Sequence, residues 1–197
     1  MTRFVGLTGG IGAGKSAALA AFGRLGAETL STDQVTHELL GDEEVRDALV
    51  ERWGEDMAPS GAVDRARVAE VVFGSRDELK WLEGQLHPRV GAHVAEWRQR
   101  LAPEVEVATV EVPLLFEAAM EDAFDATVAV VADDEVRDGR MRERGQTGLG
   151  GREERQLGQA EKEQRADHVI RNNGTLEELE SEVRRVMKEL GATRVGS

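Results

Sequence analysis

Residues 4–22 read FVGLTGGIGAGKSAALAAF, and this stretch decides the fold. Four glycines fall within the six residues from Gly9 to Gly14, and Lys15 and Ser16 follow directly. Glycine loses much backbone entropy when it is ordered, so such a cluster indicates a backbone that curls closely around a ligand. The residues from Gly9 to Ser16 fit the pattern G-x-x-x-x-G-K-[ST] in full, between a strand candidate and a helix candidate.

This pattern is typical of a loop that binds the phosphates of a nucleotide. Consecutive backbone N–H groups converge on a phosphate, and the N-terminus of the following helix adds its own N–H groups and dipole. Lys15 is expected to neutralise the β- and γ-phosphates, and Ser16 to hold Mg²⁺. An ordinary glycine-rich turn with an exposed lysine is the alternative. The loop thus predicts a nucleoside triphosphate and Mg²⁺, bound by Gly10, Gly12, Ala13, Gly14, Lys15, Ser16 and Ala17.

The composition indicates a soluble globular protein of one domain with a small appendage. The chain has 197 residues, of which 40% are hydrophobic and 32% charged, and its formal net charge is −13. This acidity argues against a nucleic-acid partner. The sequence has no apolar run of about 18 residues, so we expect no membrane partner. It also has no cysteine and no recognisable signal peptide, so we expect a cytoplasmic protein that is a monomer or a weak oligomer.

Strand and helix candidates alternate along the chain. Val105–Leu115 is rich in valine, and Ala126–Ala132 is apolar on both faces, as expected of central strands in a parallel sheet. The alternation predicts an α/β layered fold with a mainly parallel sheet. The other strand candidates are Arg3–Thr8, Ala27–Leu30 and His168–Ile170, and the helix candidates are Ser16–Leu25, Asp33–Trp53, Arg65–Leu101, Glu135–Arg144 and Leu176–Leu190.

More specific motifs accompany the glycine-rich loop. The sequence has neither the N-K-x-D nor the D-x-x-G motif of a GTPase, and its small size favours a small-molecule kinase over a large ATPase. The matching pieces are GLTGGIGAGKS at 6–16, STDQVTHELL at 31–40, VDRARVAEVVF at 63–73, LHPRV at 86–90, VPLLFE at 112–117, QL at 156–157, EK at 161–162 and RADHVIRNNG at 165–174. In this order they resemble the dephospho-CoA kinase family over nearly the whole chain.

The resemblance implies a three-layer P-loop kinase fold with a mainly parallel five-stranded sheet. The core domain would comprise residues 1–32, 101–144 and 166–197, with a helical acceptor-binding insertion at 33–100 and a mobile lid at 145–165. The implied enzyme transfers the γ-phosphoryl group of ATP to the ribose 3′-hydroxyl of dephospho-CoA, the last step of coenzyme A synthesis. Two other functions stay open, namely another nucleotide or small-metabolite kinase and a non-catalytic module that senses ATP.

Asp33 is the candidate that would act on the acceptor hydroxyl. It follows the second strand candidate, at the edge of the sheet where ligands of α/β proteins collect. The resemblance implies that its carboxylate orients or deprotonates the hydroxyl, with Lys15 as a further catalytic residue. A helix N-cap is the alternative for Asp33.

Arginines near the expected lid are candidates for stabilising the transferred phosphoryl group. Arg140 and Arg144 lie four residues apart on one face of a predicted helix, and Arg152 follows in the charged segment. We expect Arg140 and Arg144 to be catalytic cations that close over the phosphates, and Arg152 to assist them. Solvated ion pairs with Asp138 and Glu143 are the alternative.

The resemblance also assigns residues to the two substrates. Arg65, His87, Pro113, Leu114 and Glu117 would contact or shape the dephospho-CoA pocket, and Asn172 would flank the adenine of ATP. Each of these residues also has a structural alternative. Arg65 would only follow the cap of a helix, His87 would be a structural histidine before a proline, Pro113 and Leu114 would be core residues at a strand end, and Asn172 would belong to an ordinary turn. Two positions depart from the usual family pattern, since Ala17 replaces a common threonine and Ser31 replaces the first of two acids.

Overall fold

The computed structural model describes residues 1–143, 156–193 and 195. The chain divides into two compact units. The core unit comprises Met1–Ser31 and Leu101–Ser197, and the helical unit comprises Thr32–Arg100. Arg144, Arg152 and most of the expected lid at 145–165 lie outside the described residues.

Five short strands form a parallel sheet in the core unit: β1 (Arg3–Gly9), β2 (Glu28–Ser31), β3 (Val107–Glu111), β4 (Ala126–Val131) and β5 (His168–Arg171). They lie in the order β2-β3-β1-β4-β5, and every neighbouring pair is parallel. The central strands β3, β1 and β4 are buried at nearly every position, because apolar side chains stand on both faces. All carboxyl ends therefore meet at one edge, where the residues Gly9–Ser16, named here the phosphate loop, leave β1.

Two helices cover one face of this sheet. Helices α1 (Lys15–Arg24) and α8 (Leu176–Glu189) pack against each other and against Val5 and Leu7 of β1 in one apolar cluster. Helix α8 starts with a capping box, in which the Thr175 and Glu178 side chains each bond the other's backbone N–H. This packing fixes the start of α1, where the phosphate loop ends.

The opposite face of β1 carries Phe4, Gly6 and Thr8, because side chains alternate along a strand. The Phe4 ring stacks on Phe124 with 5.0 Å between the ring centroids. A Cβ at Gly6 would lie 2.5 Å from Leu115, so the glycine allows Leu115 to cover the sheet. Two further helices of the core unit are α6 (Asp134–Glu143), which follows β4, and α7 (Gln159–Arg165), which precedes β5.

The helical unit contains α2 (Thr32–Leu39), α3 (Glu43–Trp53), α4 (Arg65–Gly74) and α5 (Arg76–Gln99), with a 3₁₀ turn at Glu55–Met57. It has an apolar cluster of its own, formed by Leu40, Val45, Leu49, Met57, Val68, Leu82 and Leu86. A separate core of this kind explains why the unit is compact by itself.

The parallel five-stranded sheet is confirmed, and four elements differ from expectation. Strand β3 ends at Glu111 rather than Leu115, because Pro113 has no N–H to continue the ladder. The helical stretch expected over Asp33–Trp53 is two helices, and the chain turns between them at Gly41. The stretch expected over Arg65–Leu101 is also two helices, because α4 ends at Gly74 and Ser75 caps the start of α5. Residues 159–165, which were expected within the mobile lid, form α7, and its Lys162 is fully buried. No described helix combines the length and the apolarity that a membrane crossing needs.

Candidate active site

The phosphate loop presents an uncapped helix N-terminus at the carboxyl edge of the sheet. Gly14 is the N-cap of α1 and adopts the left-handed conformation, with φ 95° and ψ 31°. A glycine has no side chain to accept a hydrogen bond, so it leaves the first-turn N–H groups of α1 without a side-chain cap. These groups and the helix dipole favour a bound anion.

Two glycines of the loop are required by close approach as well as by conformation. A Cβ at Gly12, where φ is 76°, would lie 3.1 Å from the backbone oxygen of Arg137. A Cβ at Gly14 would lie 2.1 Å from Nδ2 of Asn172. The loop is therefore packed tightly against α6 and against the residue that follows β5.

Arg137, Arg140 and Asn172 hold the back of the phosphate loop. Nε of Arg137 donates to the carbonyl oxygen of Ile11 at 2.8 Å. Nδ2 of the buried Asn172 donates to the carbonyl oxygen of Ala13 at 2.8 Å. Arg140 donates to the same carbonyl at 3.5 Å and to Oδ1 of Asn172 at 3.3 Å.

These contacts set the direction of the loop's N–H groups. In a trans peptide the C=O of one residue points opposite to the N–H of the next, and the described chain has no cis peptide. Because the carbonyls of Ile11 and Ala13 face α6 and Asn172, the N–H groups of Gly12 and Gly14 point away from these side chains. The three side chains therefore arrange the loop for an anion before one binds.

Lys15 and Ser16 are the first two residues of α1, and their side chains make different contacts. Nζ of Lys15 donates to the carbonyl oxygens of Gly9 and Gly10, at 3.0 and 3.2 Å. Ser16 is exposed, and its hydroxyl donates to Oε1 of Glu111 at 3.5 Å. Glu111 ends β3 and is only 3% exposed, so a buried carboxylate stands beside the serine.

The arrangement suits a metal that arrives with phosphates. Among the described residues, no group of three or more His, Asp or Glu side chains could hold a metal ion alone. Mg²⁺ retains waters and binds through one or two protein oxygens together with phosphate oxygens. Ser16 and Glu111 fit that kind of site.

Comparison with known proteins assigns the chain to a family. The family model described as dephospho-CoA kinase matches residues 3–178. The chain belongs to the dephospho-CoA kinase family. Proteins named dephospho-CoA kinase from Chlamydia muridarum and Protochlamydia amoebophila are 36% and 34% identical to it. The first alignment covers 96% of each chain, and the second covers 95% of this chain and 96% of the relative.

Solved structures agree with this family. A protein from Thermus thermophilus superposes with a TM-score of 0.80 at 34% identity, over 96% of this chain and 98% of that one. Dephospho-CoA kinase from Campylobacter jejuni gives a TM-score of 0.72 at 25% identity, with the same coverage of both chains. Shikimate kinase from Acinetobacter baumannii, at 14% identity and a TM-score of 0.52, covers 96% of this chain and 93% of its own, and shares the fold alone.

The acceptor-site candidates of this dephospho-CoA kinase family member in the core unit lie just after β3. The carbonyl oxygen of Pro113 accepts hydrogen bonds from Thr8 at 3.2 Å and from Lys162 at 2.9 Å, and Leu114 is half-buried. Oε1 of Glu117 lies 2.8 Å from Nζ of Lys162. Pro113 and Glu117 are thus bound to α7 of the same unit.

The other acceptor-site candidates belong to the helical unit. Asp33 is exposed in the first turn of α2, which starts one residue earlier, so it lies within the helix rather than at its N-cap. Arg65 is exposed and donates to the carbonyl oxygen of His37 at 2.9 Å. Its neighbour Asp64 caps α4, and His87 is exposed on α5.

Sequence reasoning missed three residues of the site region: Glu111, Arg137 and Lys162. Arg137 precedes Arg140 by three residues, so a shared helix face could have indicated it. Glu111 is an acid in a strand that is otherwise apolar, and that contrast is also visible in the sequence. Lys162 belongs to a segment that matches the family pattern, but it lies among charged residues and nothing local marks it as buried. In place of the alternative ion pairs, Arg140 donates to the Ala13 carbonyl oxygen and to Oδ1 of Asn172.

Proposed function

We propose that this protein transfers the γ-phosphoryl group of ATP to the ribose 3′-hydroxyl of dephospho-CoA, giving CoA and ADP. The observation that carries the proposal is the complete phosphate loop, with Lys15 and Ser16 in place, in a member of the dephospho-CoA kinase family. Phosphoryl transfer to a ribose requires that the acceptor hydroxyl is positioned and that the charge of the γ-phosphate is neutralised. It needs no covalent enzyme intermediate.

The phosphate loop would bind ATP through its backbone. The N–H groups of Gly12, Gly14, Lys15 and Ser16 would donate to the β- and γ-phosphates. Lys15 would exchange the carbonyl oxygens of Gly9 and Gly10 for phosphate oxygens, which are better partners for an ammonium. Asn172, which holds the loop at Ala13, would also border the adenine.

Mg²⁺, when bound, would neutralise charge on the β- and γ-phosphates. Ser16 would contribute its hydroxyl oxygen as a ligand, and Glu111 would accept hydrogen bonds from waters of the ion. Arg140 and Arg144 would place positive charge beside the transferred phosphoryl group and so stabilise the negative charge that it carries in the transition state. Arg140 would leave its contact with the Ala13 carbonyl oxygen to take that role.

The helical unit would bind the acceptor. Arg65 would pair with a phosphate of dephospho-CoA, and His87 would contact the same substrate. Pro113, Leu114 and Glu117 are the candidates for acceptor contacts within the core unit. Asp33 would accept the proton of the 3′-hydroxyl. The 3′ oxygen would then bond to the γ-phosphorus as the bond from phosphorus to the bridging oxygen of ADP breaks.

An acceptor panel tests this function. Purified protein is mixed with Mg·ATP and, separately, dephospho-CoA, adenosine, AMP or shikimate, and ADP formation and product mass are followed. We expect a mass gain of one phosphate on dephospho-CoA alone, and its loss in Lys15→Ala and Asp33→Asn. Phosphorylation of a different acceptor would show another kinase, and nucleotide binding without any turnover would show a sensor module.

A further inference from the structure

We propose that Lys162 is a positioning residue for phosphoryl transfer. Its buried ammonium would fix the start of the phosphate loop by binding the end of β1 and the turn after β3 to α7. The inference rests on the proposed function, because its effect is measured as a rate of phosphoryl transfer. Lys162 touches no reacting atom in this scheme and acts through the loop.

The surroundings of Lys162 are polar and closed. Its side chain is 0% exposed, although lysine is among the residues that are least often buried. Nζ lies 2.8 Å from Oε1 of Glu117, donates to the carbonyl oxygen of Pro113 at 2.9 Å, and reaches Oγ1 of Thr8 at 3.5 Å. Three separate segments of the core unit therefore meet at one ammonium.

Stability alone does not require this ion pair. Burying two charges removes them from water, and an apolar pair of similar volume stabilises a fold equally well or better. A buried ammonium gives directional bonds instead, and these specify where its partners lie. One partner of Lys162, Thr8, directly precedes the phosphate loop, so a positioning role fits the location.

Thr8 connects Lys162 to the loop. It is fully buried and directly precedes Gly9, whose carbonyl oxygen accepts a hydrogen bond from Lys15. A displacement of Thr8 therefore moves the first peptide of the loop and the lysine that would bind the γ-phosphate. Misplacement of a reacting group by about 1 Å can lower a rate by about a hundredfold.

Helix α7 also contacts the phosphate loop through Gln159. The amide of Gln159 bonds to both backbone groups of Ala132, just past β4, at 3.0 Å to the N–H and 2.8 Å to the carbonyl oxygen. A Cβ at Gly10 would lie 3.1 Å from Cγ of the same side chain. Lys162 thus anchors a helix that also packs directly on the loop.

Glu117 also binds the chain just before α7. Its Oε1 accepts the backbone N–H of Leu157 at 2.8 Å in addition to the contact with Lys162. Replacing Lys162 alone would leave a carboxylate without its cation, which itself destabilises the fold. A test of positioning therefore has to remove the charge of Glu117 as well.

The experiment compares Lys162→Met, Glu117→Gln and the double variant with the wild type. The glutamine keeps an acceptor for Leu157 while it removes the charge. The measurements are Tm, kcat and KM for both substrates, and the increase in Tm produced by ADP. Lys188→Met, an exposed lysine on α8, is the matched control for the loss of a lysine.

We expect Lys162→Met to lower both Tm and kcat, and the double variant to recover most of the Tm while its kcat stays about tenfold or more below that of Glu117→Gln. Lys188→Met should match the wild type. Recovery of kcat together with Tm in the double variant would overturn the inference, because the ammonium would then only balance Glu117. If Lys162→Met does not fold, the double variant compared with Glu117→Gln decides. If the double variant also fails to fold, Thr8→Val decides, because it removes the bond between Lys162 and β1: an unchanged kcat overturns the inference, and a reduced kcat at wild-type Tm supports it. A wild type that fails to phosphorylate dephospho-CoA would refute the proposed function instead.

Discussion

Gly14 shows at the scale of single residues why the phosphate loop tolerates no side chain. We expect Gly14→Ala to lower nucleotide affinity by about tenfold or more, because the new Cβ displaces Asn172 and the φ of 95° strains an alanine. Binding of a fluorescent ADP analogue measures this affinity. Gly91→Ala is the control, since it lies in α5 with open space around it. It should bind normally and raise stability by about 0.5–1 kcal/mol.

Arg137 supports the loop from behind, and its removal should weaken ATP binding. Without the bond to Ile11, that carbonyl is free to turn, and the N–H of Gly12 no longer has a fixed direction. We expect Arg137→Met to raise KM for ATP by about tenfold. Arg142→Met removes an exposed arginine from the same helix, and its kinetics should equal those of the wild type. An unchanged KM in Arg137→Met would contradict the supporting role.

The site residues divide into those that a local pattern can indicate and those that only the fold can. The loop residues Gly12 to Ser16 follow from a continuous motif, because their geometry is local. Arg137 bonds to a residue 126 positions away, and Lys162 to one 154 positions away. No local pattern encodes such distances. Arg140 could be predicted as a cation near the phosphates, but not its bond to Asn172.

At the scale of elements, α3 and α5 are joined by a small polar cluster around Glu78. Arg52 and the indole N–H of Trp53 both donate to its carboxylate, and Trp53 meets Trp81 edge-on at 5.1 Å. The hydrogen bond from Arg52, with a further one from Trp53, lowers the pKa of Glu78 below its ordinary value. The folded unit therefore favours the ionised form.

This lowered pKa gives a pH dependence of known sign. The stabilisation is present above the unfolded pKa and is lost as pH falls through the folded one. Glu78→Gln should therefore lower Tm at neutral pH, and the difference from the wild type should shrink below about pH 4. Tryptophan fluorescence follows the transition. Glu96→Gln removes an exposed partner of Arg100 and should change Tm little at any pH. If the Tm difference between Glu78→Gln and the wild type stays constant across pH, the lowered pKa of Glu78 is refuted.

Elements with a clear apolar pattern could be predicted, and those held by polar contacts could not. The amphipathic α8 and the apolar β4 match their expected ranges to within a residue or two. Helix α7 has almost no apolar side chain, so its sequence is typical of a solvated segment. It is fixed by Gln159 and Lys162, whose partners lie far along the chain. The break at Gly41 separates two helices within one stretch of helical spacing.

At the scale of the whole molecule, all three tryptophans fall in the helical unit, at positions 53, 81 and 97. If this unit binds the acceptor, dephospho-CoA should change the tryptophan emission. The emission change should persist in Lys15→Ala, because this substitution lies in the core unit and leaves the helical unit unchanged. The same variant should lose the increase in Tm that ADP gives the wild type. Loss of the emission change in Lys15→Ala would place acceptor binding elsewhere.

The most direct test of the proposed function follows the phosphoryl group itself. ATP labelled in the γ-phosphoryl group is mixed with the protein, Mg²⁺ and dephospho-CoA, and phosphorus NMR and mass spectrometry locate the label in the product. We expect the label on the ribose 3′ oxygen of CoA, with one ADP formed for each CoA, and no transfer by Lys15→Ala. Release of the label as free phosphate, or its transfer to an atom other than the ribose 3′ oxygen, would contradict the proposed phosphorylation of dephospho-CoA.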